Sequence, residues 1–163
     1  MIGLRPALAS ATLLCLLQPS WADQPVPIEF LNSGKVLPRN QPFSEIVRHG
    51  NTLYLSGQIG IQPGTLKLVP GGLPEEARQT MENIKATLEA NGYAMGNLVK
   101  CTVMLADIAD WQAFNEVYKG FFSGDYPARS AFAANGLVLG AKVEVDCIGA
   151  VGEKCCKAKP GRF

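Results

Sequence analysis

The stretch AKVEVDCIGAV, residues 141–151, alternates its side chains in a way that fixes what kind of sheet it can join. Ala141, Val143, Val145 and Cys147 fall on one face of the extended chain. Lys142, Glu144, Asp146 and Ile148 fall on the other. Such a strand packs its apolar face on a core and leaves a charged row on the opposite side, facing water, a partner subunit or a site.

Upstream, ARSAFAA (128–134) reads as a further strand, connected to the first through the turn NGLVLG (135–140). An amphipathic helix precedes it, with Trp111, Phe114, Tyr118 and Phe121 on one face at the spacing of a buried stripe and Asp110 placed to cap it. LVKCTVMLAD (98–107) is β-branched and apolar and reads as a strand. Before it, Pro74, Glu75 and Glu76 open a helix on which Ala77, Met81, Ile84 and Leu88 recur every three or four residues, and ANGY (90–93) ends it. Two early strands, about 43–48 and 52–60, meet at the turn HGN (49–51). The predicted order is β-β-α-β-α-β-β, an α+β domain with a mixed sheet and two helices on one face.

At 163 residues, 47% of them hydrophobic, the chain has length for one domain with a substantial core and an appendage. A formal net charge of +1, with basic residues scattered, gives no electrostatic case for nucleic acid. The single histidine, His49, lies in a turn signal and reads as a solvated turn residue, and one histidine excludes a multi-histidine metal site. No metal site is expected.

Residues 1–22 read as a cleaved export signal. Arg5 gives a positive start, ALASATLLCLL (7–17) a short apolar run, and SWA (20–22) small residues at the cleavage positions. The expected product is a soluble periplasmic or secreted protein, residues 23–163, with no membrane attachment after cleavage. It retains Cys101, Cys147, Cys155 and Cys156, an even number suited to an oxidising compartment and open to three pairings. The tail GEKCCKAKPGRF (152–163) reads as loosely ordered.

From about Pro42 to Val151 the chain resembles the reactive intermediate deaminase family (RidA, also called YjgF). The resemblance rests on SGQI (56–59), NIKATLEANG (83–92), FNEVYKGFF (114–122) and PARSAF (127–132) followed by VEVD (143–146), in that order. It implies a chorismate-mutase-like fold and a homotrimer with sites between subunits. No cofactor is implied. The implied activity is hydrolysis of 2-imino and 2-enamino acids to 2-oxo acids and ammonia. The resemblance assigns Arg129 to the substrate carboxylate and Glu144 to the attacking water, with Ser56 and Asn115 lining the site. Phe43 stands where family members carry a tyrosine, and Ala131 where a cysteine often occurs. On spacing alone, Arg129 reads as a strand-end charge paired with a carboxylate such as Asp125. Two other functions compete with the deaminase: a non-catalytic binder of small carboxylates, and a holdase-like or ribonuclease-like relative, the last disfavoured by the near-neutral charge.

Overall fold

The computed structural model describes residues 25–152. The expected signal 1–22 and the tail beyond Gly152, with Cys155 and Cys156, lie outside the described residues. Six strands form one sheet: β1 (Ile28–Leu31), β2 (Ile46–His49), β3 (Thr52–Ile59), β4 (Leu98–Leu105), β5 (Ala128–Ala133) and β6 (Val143–Ala150). Their order across the sheet is β1-β2-β3-β6-β4-β5. All neighbours are antiparallel except β4 and β5, which run parallel. Helix α1 (Leu73–Ala90) connects β3 to β4, and α2 (Trp111–Lys119) connects β4 to β5. Both pack on one face, as the alternation in β6 requires.

Ala77, Met81, Ile84 and Leu88 of α1 are all buried in the main core, together with Leu53, Val103, Leu105, Phe114, Val143 and Val145. Pro74 lies in the first turn of α1, where its missing N–H costs nothing, beside Glu75 and Glu76 at the positive end of the helix dipole. The helix ends at Asn91, and Gly92 takes the left-handed φ of 82°. His49 is the last residue of β2 rather than part of the turn; it is exposed, and the reversal falls on Gly50 and Asn51.

Three expectations are corrected. β1 was not foreseen: its four residues are too few for a readable period, and it exists by pairing with β2, Leu31 opposite Ile46. Asp110 does not cap α2 through its side chain. Asp107 provides the cap one turn earlier, its carboxylate accepting from the Ala109 amide at 2.9 Å to start the 3-10 turn that leads into α2. Trp111 is not core but 43% exposed, because the buried face of this short helix begins at Phe114.

Two features of the sheet position the functional side chains. Cys101 of β4 and Cys147 of β6 are register partners, both buried on the helix-facing side, and they form a disulfide. That resolves one of the pairings left open by the sequence. In β3, Leu55 pairs with Cys147 and Gln58 with Val145, so Ser56 and Gly57 together oppose Asp146 alone. This is a β-bulge, a device that bends a strand and re-aims its side chains.

Candidate active site

On the helix-facing side, Arg129 of β5 pairs in register with Cys101 of β4. Its guanidinium Nη2 donates to Asn115 Oδ1 of α2 at 2.6 Å. The guanidinium carbon lies 4.7 Å from the ring centre of Tyr118 and 5.8 Å from that of Phe114. The cation is therefore held by one hydrogen bond and supported on aromatic faces, and Asp125 forms no ion pair with it. Trp111, Tyr118, Tyr126 and Pro127 wall the cleft into which Arg129 opens. Burial pushes the Tyr118 hydroxyl up from its ordinary range; Arg129 opposes that shift and Tyr126 adds to it. The hydroxyl is buried and makes no hydrogen bond to the protein.

On the opposite face, Glu144 of β6 meets the bulge of β3. A Cβ added at Gly57 would collide with the Glu144 carboxylate, so glycine is what permits this approach. Ser56 is anchored twice: its amide donates to the Glu45 carbonyl at 3.1 Å and its hydroxyl to the Ser44 carbonyl at 2.7 Å. These bonds hold the segment carrying Phe43 beside the bulge. Glu45 is itself buried, its carboxylate accepting from the Ser33 amide, the Ser33 hydroxyl and the Gly34 amide at 2.6, 2.7 and 3.2 Å. Phe43, Ser56, Gly57 and Glu144 line a cleft of about 480 Å³. Burial raises the Glu144 carboxyl above the usual carboxylate range, and the negative charge of Asp146 raises it further.

The residues nominated from sequence thus fall into two groups. Asn115 and Arg129 meet on the helix side, while Phe43, Ser56 and Glu144 meet on the open side. Ala131 joins neither; it packs against the main core two residues along β5. Among the described residues, no three His, Cys, Asp or Glu side chains converge as a metal site would require.

The comparisons decide the family. Residues 35–151 match the family model described as Endoribonuclease L-PSP. The chain belongs to this family, the RidA (YjgF) family. The goat protein named 2-iminobutanoate/2-iminopropanoate deaminase is 45% identical to this RidA-family chain over 111 residues, 68% of the chain and 81% of the relative. The mouse protein of the same name is 43% identical over 111 residues, covering 68% and 82%. Among solved structures, E. coli TdcF with bound serine superposes with a TM-score of 0.71 at 31% identity, covering 76% of this chain and 99% of that one.

Two further residues of the candidate site escaped the sequence reading. Tyr118 reads as core because it sits on the buried stripe of α2, and it is core; it is also the platform under Arg129. Gln58 is 2% exposed, lines the cleft of Glu144, and neither end of its amide has a protein partner. Its signal was present in SGQI, a polar side chain among apolar neighbours in a strand. A buried amide left unpaired is uncommon enough to mark the place.

Proposed function

We propose that this chain hydrolyses 2-imino acids, and the enamines that tautomerise to them, to 2-oxo acids and ammonia. The observation that carries the reading is the setting of Arg129. One of its N–H groups is committed to Asn115, while the rest of the fork faces a cleft, so a planar carboxylate can be taken through two parallel charge-assisted bonds. The names of the relatives support the same reaction.

The chemistry asks little more of the protein. An imine carbon is already electrophilic, so a water held and partly deprotonated by Glu144 adds to it, giving an amino alcohol. Return of the proton to nitrogen lets the C–N bond break, and ammonia leaves as the carbonyl forms. Holding carboxylate and water in register is most of the catalysis.

This mechanism needs Arg129 and Glu144 at one substrate, which their placement on opposite faces denies to a single chain. We therefore assign the complete site to two copies, the Arg129 face of one against the Glu144 face of the next. Joining two different surfaces head to tail gives a ring when the rotation between copies closes, and the homotrimer implied by the family resemblance is such a ring. The disulfide between Cys101 and Cys147 supports the proposal that the protein works outside the reducing cytoplasm. The net charge of +1 favours this small-molecule chemistry over RNA cleavage.

The test is direct. The protein lacking residues 1–22 is incubated with imino acids released by an amino-acid oxidase, and their loss is followed against the spontaneous rate. Acceleration abolished by Glu144→Gln supports the reading; a wild-type protein that leaves the spontaneous rate unchanged refutes it.

A further inference from the structure

We infer that the Cys101–Cys147 disulfide is a positioning element for the substrate anchor: it fixes the strand on which Arg129 depends, so that tight binding of a carboxylate requires the oxidised protein. The inference rests on the deaminase reading and adds a redox condition to the same site.

Arg129 lies on β5, the edge strand of the sheet, whose single neighbour within the chain is β4. No residue of β5 is fully buried within its own chain, so packing alone fixes the strand weakly. Its own chain places the guanidinium through the ladder to β4 and through the bond to Asn115. The position of the anchor therefore follows the position of β4.

β4 is in turn fastened covalently to β6, and the fastening point is next to the anchor. Leu55 of β3, Cys147 of β6, Cys101 of β4 and Arg129 of β5 are register partners in succession, one row across four strands. The disulfide is the middle rung of this row. At its far end, the bulge of Ser56 and Gly57 begins directly after Leu55. Cys101 and Cys147 are buried in the same core as Phe114 and Tyr118, the two rings on which the guanidinium rests. Reduction puts two separate thiols where one bond stood. Unbonded sulfurs need more room than bonded ones, and a close-packed interior gives it only by moving their neighbours. The strand with the least packing of its own, β5, is the one that yields, and the guanidinium moves with it.

The test separates positioning from stability. A small dithiol reduces the bond by exchange: its thiolate attacks one sulfur, its second thiol closes to a cyclic disulfide, and Cys101 and Cys147 are left as thiols. Wild type refolded with the dithiol is compared with oxidised wild type and with the double variant Cys101→Val, Cys147→Ala, in which the valine refills part of the core. In both bond-free forms, KM for the alanine-derived imine and the calorimetric Kd of pyruvate should rise about tenfold, short of the hundredfold or so that an ångström of misplacement can cost. A bond that serves stability alone would lower the folded fraction, reducing the apparent kcat while leaving KM and Kd unchanged; that result overturns the inference and leaves the deaminase reading in place. So does a protein that folds only when oxidised, because the bond then serves the whole chain rather than the anchor. If no form hydrolyses an imine but losing the bond still weakens pyruvate binding about tenfold, the deaminase reading fails and the positioning role stands. Absence of both hydrolysis and pyruvate binding refutes the two together.

Discussion

Arg129 and Glu144 project from opposite faces of one sheet, with β4 between the strands that carry them. Arg129 shares a side with Cys101 and Cys147; Glu144, three residues before Cys147, takes the other. Mixing therefore gives a decisive result. Arg129→Ala and Glu144→Ala should each be inactive alone, yet refolding them together in equal amounts should restore about a quarter of wild-type activity, the fraction of randomly formed interfaces with both groups intact in a ring of head-to-tail contacts. A site contained in one chain would recover nothing.

In the proposed mechanism Arg129 is the carboxylate anchor. Arg129→Ala should lower kcat/KM by two to four orders of magnitude, about 3 to 5 kcal/mol, as expected for loss of a charged partner in a shielded cleft. Arg129→Lys should recover little of it, because an ammonium does not reproduce two parallel contacts. Steady-state kinetics on variants shown to be assembled by light scattering measures both.

In the proposed mechanism Glu144 acts ionised, and burial, reinforced by Asp146, raises its carboxyl above the usual range. Activity should fall on the acid side at a pH higher than an ordinary glutamate would give. Asp146→Asn removes the like charge, favours ionisation and should move that limb to lower pH without bringing it fully to the ordinary value, since burial remains. A pH profile of kcat/KM in wild type and variant checks the direction.

The Cys101–Cys147 disulfide closes a loop with a sequence separation of 46 between two neighbouring strands. The double variant Cys101→Ala, Cys147→Ala should lose about 2 to 4 kcal/mol of stability in denaturant unfolding. Unchanged stability would mean that the two thiols do not bond in the folded protein.

Local periodicity made much of this molecule readable. The buried stripe Ala77, Met81, Ile84 and Leu88 and the two-faced strand 143–150 follow from spacings of a few residues, and the structure keeps both. β1 was hidden because four residues carry no period of their own and its place depends on bonds made far along the chain, such as those from Ser33 to Glu45. Glu144 and Arg129 were found through motifs, yet the faces they occupy depend on strand order, which no local pattern encodes. The bulge at Ser56 and Gly57 was equally invisible, being a mismatch between β3 and a strand almost a hundred residues later. Tyr118 shows a different limit: a side chain that serves the core leaves no separate trace of a second task.

The last strand of the described residues, β6, lies in the middle of the sheet, with β3 on one side and β4 on the other. Its pairing joins Thr52 to Ala150, so the central ladder closes only when nearly all of the described chain has been synthesised. Contacts this distant are slow to form, since the entropy of ordering the intervening chain is spent before they return anything. A nascent chain ending before Val143 has the β1–β2–β3 meander, helix α1 and the unit β4–α2–β5, with the inner edges of β3 and β4 both open. On the export proposed above, such late closure would keep the chain threadable until its last described strand had been made.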